Sequence, residues 1–581
     1  MTRLLPLALL LVALTAHAQL VDGTPTTADS VAGQADRVIV DSFDETLASV
    51  PRGSFAPMPA PLAGVVWTAP EVAAEAVEDL ARMRRAGVRA VRTGLVSDSV
   101  LAAADCLGIA VAQELPIADV HASELAARLP EADSLLSAAL DRARSHSSAR
   151  LFILARGVDT SDRDVRPFFE RLAEIVRHRG APGTRTAYLT RFVDDDRVSG
   201  TVDLVLLDAR GRDPFGLLRR WRDRHETPVG LGAWGEGVVP EREGGWRQSG
   251  TEARQARVIE RTLDAFLTAD APPEVAFLAR WRDREERGVR AEVADLRYGL
   301  VAAGGTPRPA LDVTAGVFTG RQRVFAFDAG PPESGPRSGL LVVIGWTLVL
   351  SLGALITLSP RMSGLVPQYF GRRDLYREAI QKGYGLSTVV TVSLAAILAL
   401  TVGLVGATVL RAFAATDALT VAAAGWEPEA QRRMVRLVGS PALLGALIAM
   451  LYSAWVMLNV VWVGLIAGRR RRLRPVQALS IVVWPRWPWL LLLLGAMLVA
   501  SLSPGTANVW AAVLLVVALG VETIAAWRSF VDLTYVGYVP QGKAFGIGFG
   551  VPFLLFLIGA VALLVTAGGE VGFLWHLAVR S

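Results

Sequence analysis

The chain has one cysteine in 581 residues, Cys106, so no intrachain disulfide can form. Cys106 lies between Ala104 and Leu107 in an apolar stretch and is expected to pack in a helix as a small hydrophobe. Lysine is almost absent: Lys382 and Lys543 are the only two among 60 basic residues, and the rest are arginine. The six histidines (His17, His121, His146, His178, His225 and His576) show no metal-ligand spacing. There is no Walker loop, no dinucleotide fingerprint and no G-x-S-x-G, so neither a metal nor a cofactor is expected. The formal charge is only +5, and acids balance the arginines along the first half. That spread excludes the clustered basic face of a nucleic-acid binder.

What is abundant is apolar surface, at 52% of residues, with a mean hydropathy of +0.38. The average conceals two halves. Residues 20–335 are rich in Arg, Asp and Glu; long apolar runs dominate from residue 339. At the start, Arg3, the apolar Leu4–Thr15 and Ala16-His17-Ala18 read as a secretory signal peptide over 1–18. The apolar run is too short to cross a hydrocarbon core of about 30 Å. A linker at 19–60 and a hinge at 321–338 would flank the charged domain, 61–320.

Six spans are expected in 339–567, at 339–358, 385–409, 439–467, 487–503, 508–526 and 545–567, before a tail at 568–581. With the charged domain exported, the segments after the first span put thirteen basic residues on the inner side and five on the outer. The positive-inside rule therefore agrees with the signal peptide. The run RRRRLR (469–474) reads as a topology anchor that could also touch anionic lipid, and 367–383 as an amphipathic segment at the membrane surface. Glu522 is the one acid well inside a span, near its inner end with Arg528 close by; Asn459 reads as glue between helices. The expected partners of this half are membrane lipid and other membrane proteins.

Within 61–320, short apolar runs alternate with segments of helical period. Strands are expected at Leu62–Trp67, Val88–Arg92, Ile109–Gln113, Leu151–Ala155, Thr186–Thr190, Val202–Leu207, Pro228–Leu231 and Val275–Leu278. Helices are expected at Glu71–Ala86, Ser97–Leu107, Glu131–Ser145, Asp162–Arg179, Asp213–His225 and Glu252–Ala269. Regular alternation argues for a parallel sheet. Eight units of this length give an α/β fold: a (β/α)₈ TIM barrel, followed by an all-α six-helix transmembrane domain. A doubly wound sheet is the competing arrangement, without a Gly-rich fingerprint to support it.

Four segments carry a resemblance. EDLARMRRAGVRAVRTG (78–94) is similar to a helix followed by G-x-N-x-V-R. LAAADCLGIAVAQELP (101–116), SGTEARQARVIERTLDAF (249–266) and RYGLVAAGGTPRPALDVTAGVF (297–318) follow in the same order. Together they resemble the TIM-barrel domain of glycoside hydrolase family 2, the β-galactosidase, β-glucuronidase and β-mannosidase group. The resemblance implies a carbohydrate partner and two carboxylates across the barrel mouth, one an acid and one a nucleophile.

In that family's pattern the acid follows strand four in an Asn-Glu pair; here the pair is Val158-Asp159. The nucleophile ends strand seven; here Ala233 holds the place, with Glu236 three residues on. A methyl group cannot attack an anomeric carbon, and Asp is one methylene shorter than Glu. A displacement of about 1 Å can cost about a hundredfold in rate. The expectation is a glycan-binding barrel with a degenerate carboxylate pair. The alternatives are a divergent β-glycosidase using Asp159 with Glu236 or Glu114, and a transport or assembly component whose barrel only mediates contacts. Trp67, Trp234 and Trp281 follow strands one, seven and eight, where their rings could stack on sugars or pack the core. Arg92, Asp208 and Asp283 stand at strand ends as candidates for a polar cleft, or as caps and ion-pair partners.

Overall fold

The computed structural model describes residues 62–239, 242–283, 297–332, 338–383, 387–414, 416–422, 428–467, 473–502, 504–537, 573–575 and 577. The expected signal peptide, the N-terminal linker, the anchor run 469–472 and the sixth span at 545–567 lie outside these residues. The chain divides into two compact units, a barrel unit and a helical unit.

In the barrel unit, β1 (Leu62–Val66), β2 (Ala90–Gly94), β3 (Ala110–Glu114), β4 (Ala149–Arg156), β5 (Arg185–Thr190), β6 (Leu204–Arg210), β7 (Val229–Gly235) and β8 (Val275–Leu278) pair in sequence order, all parallel. The ring closes where Leu62 to Val65 of β1 face Val275 to Leu278 of β8. The helices are α1 (Ala73–Arg85), α2 (Asp98–Leu107), α3 (Ala122–Ala143), α4 (Arg166–Arg179), α5 (Pro214–Arg222) and α6 (Glu252–Thr268). Between β5 and β6 the connection carries only a 3₁₀ turn at Ser199–Thr201. A short pair, β9 (Arg280–Arg282) and β10 (Gly299–Val301), and helix α7 (Pro309–Phe318) follow β8.

Side-chain alternation sorts the strands into two cores. The inner one holds Ala90, Ala112, Ile153, Ala187, Leu189, Leu204, Leu206, Val275 and Phe277. Small residues face large ones there. A Cβ on Gly64 would lie 2.6 Å from Phe277 Cδ1, and one on Gly232 would lie 2.4 Å from Leu189 Cδ1. The outer core joins the strands to the helices and includes Trp67, Tyr188, Trp221, Trp234 and Trp281.

Two local expectations change. Helix α3 starts nine residues before the expected Glu131, because His121 Nδ1 accepts from the Ser123 amide at its N-cap and the helix runs through Pro130. Cys106 is exposed: in α2 the buried positions are Val100, Leu101, Ala103, Ala104 and Leu107, which leaves Cys106 on the outer side.

The helical unit contains α8 (Ser338–Leu358), α9 (Pro360–Gly371), α10 (Arg373–Lys382), α11 (Thr388–Ala414), α12 (Asp417–Ala422), α13 (Pro428–Gly439), α14 (Pro441–Ala467), α15 (Pro475–Val483), α16 (Trp489–Ser501) and α17 (Pro504–Gly537). Among the described residues, four helices are long and apolar enough to cross a membrane, or five if one bent pair counts as a single span. The bend, 44°, lies between Arg486 and Trp489, where Pro485 and Pro488 remove backbone donors. The span expected at 487–503 is thus the second arm of a broken helix. Helices α11 and α14 approach at small residues, where a Cβ on Gly403 would lie 2.3 Å from Gly445 O. Helix α17 extends past the expected 526 to Gly537, which places Glu522 in mid-helix.

Candidate functional site

A parallel barrel brings the C-terminal ends of all eight strands to one mouth. Here that mouth is filled by charge. Glu114, at the end of β3, is gripped from both sides: Arg92 donates to Oε2 from Nε at 2.8 Å and lies at 2.7 Å through Nη2, and Arg156 Nε stands 2.9 Å from Oε1. Arg92 is itself buried and reaches across the barrel, where Nη1 donates to Gly232 O at 2.5 Å. On the β5–β6 side, Arg210 forks onto Asp208 at 3.0 and 2.7 Å, and Arg191 Nε approaches the same carboxylate at 3.5 Å. Arg191 Nη1 also donates to Asp119 at 3.3 Å. Asp119 has φ +53° and sits over Gly157, whose φ is +66°. A Cβ on Gly157 would fall 2.2 Å from Asp119 Oδ1, so only glycine fits.

These carboxylates are held ionised. Burial alone would push Glu114 up, but Arg92 and Arg156 outweigh it and hold the group below its ordinary range. Asp208 behaves likewise: burial opposes ionisation, and Arg210, Arg191 and Arg212 together hold it far below the usual carboxylate range. Neither is placed to give up a proton near neutrality. A carboxyl that burial does push up is Asp196, which accepts from Tyr188 Oη at 2.7 Å and from the Val198 amide at 3.0 Å. Tyr188 belongs to the outer core, so that pair faces the helices.

The other candidates fall in distinct places. Asp159 is 4% exposed, and its Oδ1 accepts from the Ser161 amide at 3.1 Å and the Ser161 hydroxyl at 2.5 Å, the geometry of a cap on its own loop. Ala233 lies within β7 opposite Asp208 of β6. Glu236 just beyond it pairs with Arg254 of α6 at 3.0 Å. Asp283 accepts from the Gly299 amide at 2.8 Å and pairs with Arg308 at 2.7 Å, holding β9 to β10. Trp67 donates to Asp79 of α1 at 3.3 Å, and Arg282 grips the same carboxylate at 2.7 Å.

Trp234 meets Phe266 of α6 edge-on, with ring centroids 5.4 Å apart. Strict alternation would point it inward with Gly230 and Gly232. A register shift between Leu231 and Trp234 turns it outward instead. Trp281, 2% exposed, also lies in the outer core. All three indoles are buried in the outer core between strands and helices.

The mouth brings together Arg92, Glu114 and Asp208 from among the expected residues, and adds Arg156, Arg191, Arg210 and Asp119. A signal for the additions existed: Arg156, Arg191 and Arg210 each stand at or just past the end of an apolar strand in a chain with almost no lysine. Chemically the cluster offers guanidinium donors and ionised acceptors, which suit hydroxyls and oxyanions. Among the described residues, no three His, Cys, Asp or Glu side chains are grouped to hold a metal.

No family model matches the chain, and no curated protein does. Solved structures do match the barrel part. A glycoside hydrolase family 2 β-galacturonidase from Eisenbergiella tayi shares 14% identity at a TM-score of 0.38, over 45% of this chain and 52% of that one. The β-D-glucuronidase of Dictyoglomus thermophilum shares 16% at 0.40, over 45% and 51%. A Lactobacillus rhamnosus β-glucuronidase shares 16% at 0.39, over 45% and 50%. The chain spans about half the length of these proteins, at identities too low to carry a substrate across.

Proposed function

We propose that this protein is a carbohydrate-binding barrel carried on a multi-pass membrane unit, with the barrel on the extracytoplasmic side and without working glycosidase chemistry. The observation that carries the reading is the fate of the carboxylates. Glu114 lies between two arginines, Asp159 caps its own loop, Glu236 is paired with Arg254, and Ala233 holds the strand-seven place that the sequence resemblance assigns to the nucleophile. What remains is a ring of guanidinium and carboxylate groups able to hydrogen-bond sugar hydroxyls. The sequence resemblance supplies the ligand class. The signal peptide expected from the sequence and the inward bias of basic residues support the sidedness.

The test is equilibrium binding of β-linked oligosaccharides to the full chain in detergent, beside p-nitrophenol release from aryl β-glycosides. Binding without release is expected, with binding weakened by Arg156→Ala. Release that is abolished by Asp159→Asn would establish the hydrolytic alternative instead. Absence of oligosaccharide binding would favour a barrel that serves only protein contacts.

A further inference from the structure

A second cationic group lies outside the mouth. Trp246, in the loop between β7 and α6, carries three guanidinium groups around one ring: Arg261 at 5.1 Å from the centroid, Arg247 at 5.6 Å and Arg257 at 5.9 Å. The ring is fixed in place. The Trp246 amide donates to Asp328 O at 2.9 Å and the Arg247 amide to Ala329 O at 3.1 Å. Beside it, a Cβ on Gly245 would lie 2.2 Å from Gly330 N, so the two backbones press together.

Arg257 is neutralised by Glu260 at 2.6 Å, whose other oxygen accepts from the Phe325 amide. Among the described residues, Arg247 and Arg261 have no carboxylate partner within 4 Å; both lie over the shared indole. Two like charges on one ring repel each other, and the ring compensates only in part. An oxyanion between them would complete the charge, received by forked donors whose geometry the indole pre-orients.

Arg254, Arg257 and Arg261 follow at helical spacing down one stripe of α6, and Arg254 holds Glu236 at the end of β7. The stripe therefore leads from the barrel mouth to the Trp246 group. We infer that Arg247 and Arg261 form an oxyanion clamp that seats an acidic polysaccharide beside the mouth. The choice of a polysaccharide rests on the carbohydrate reading of the mouth; the clamp stands on its own geometry.

The test uses the full chain in zwitterionic nanodiscs, with alginate as the acidic polymer, a neutral β-glucan as control, and a short neutral oligosaccharide as the probe of the mouth. Wild type is expected to bind alginate more tightly than the neutral polymer, with affinity falling as salt rises. Arg247→Ala/Arg261→Ala should weaken alginate about tenfold or more, as expected for two charge-assisted contacts, and leave the short oligosaccharide unchanged. Arg247→Lys/Arg261→Lys, which keeps the charge but not the fork, should fall between them.

Equal alginate affinity in wild type and the alanine variant overturns the clamp. So does loss of alginate binding when the nanodiscs carry anionic lipid, which would make lipid headgroups the occupant. Failure of the short oligosaccharide to bind wild type would instead count against the mouth reading, and the alginate comparison would still judge the clamp.

Discussion

Glu114 in the barrel and Glu522 in the helical unit are two single carboxylates surrounded by donors, and they are surrounded differently. Glu114 takes both partners from neighbouring strands, Arg92 and Arg156, inside a closed frame. Glu522 of α17 collects donors from separate elements: Arg486 at the helix break at 2.7 and 3.1 Å, Trp489 of α16 at 3.0 Å, and Tyr452 of α14 at 3.1 Å. The barrel carboxylate fills a mouth whose shape the sheet already defines. The helical one ties together elements whose arrangement depends on it. Both of these acids are matched by guanidinium groups.

The comparison is broken most sharply at Glu114. Glu114→Gln leaves Arg92 buried and underpaired, and removing one partner of a buried pair typically costs about 3–5 kcal/mol. Thermal unfolding of the full chain should show that loss, while Arg156→Ala costs less because Arg156 is a third exposed. The pH dependence has a definite sign. The folded-state value of Glu114 is depressed, so its contribution is present above the unfolded value of about 4.3 and is lost as pH falls through the folded value. Wild type should therefore lose stability on acidification more steeply than Glu114→Gln. Parallel acid limbs would show that Glu114 is not locked.

The next effect belongs to the helical unit. Glu522→Leu takes the carboxylate from Arg486, which is buried at the helix break and keeps the Val482 carbonyl at 2.5 Å and the Tyr452 hydroxyl. Removing the carboxylate from a buried ion pair of this kind should cost about 3 kcal/mol, since the guanidinium stays behind without its counter-charge. The matched change Arg486→Met/Glu522→Leu should recover most of that loss, because no charge is left behind. If the double variant melts as low as the single one, the tie is not electrostatic.

How much of this was legible beforehand follows from the range of the interactions. The eight strands and their order were readable because each is a short apolar run. Glu114, Asp208 and Arg92 were readable as strand-end residues. Their partners were not: Arg156 meets Glu114 42 positions away along the chain, a pairing that only the closed sheet creates. The indole of Trp234 was misleading for a local reason, since one register shift reverses its face and no residue type announces it. Helix α3 hid its first nine residues behind Pro130.

A smaller effect tests the frame beneath the mouth. A Cβ on Gly232 would lie 2.4 Å from Leu189 Cδ1 and 3.0 Å from Leu206 Cβ, in the layer that receives Arg92. Gly232→Ala should cost about 1–3 kcal/mol as overpacking. Combining it with Glu114→Gln should give less than the sum, since both disturb the seat of Arg92. Strict additivity would separate the charged mouth from the packing below it.

The smallest effect comes from the barrel's periphery and sets the scale for the rest. His146 bridges Asp105 at 2.6 Å and Asp98 at 2.8 Å, pinning α2 to the loop before β4. Desolvation opposes its protonation, but the two carboxylates prevail and raise its value above the ordinary one. A raised folded value means the contribution is complete below the unfolded value of about 6.5 and is lost as pH rises through the folded one. Asp98 is 72% exposed, so solvent screens the pair and the contribution is about 1 kcal/mol or less. His146→Gln should therefore lower the melting temperature more at pH 5.5 than at pH 8.5, opposite in sign to the acid limb that Glu114→Gln flattens. A carboxylate locked by arginine and a histidine locked by carboxylates then act on opposite sides of neutrality, and a variant combining both changes should show the two pH dependences superimposed, because the sites share no residue.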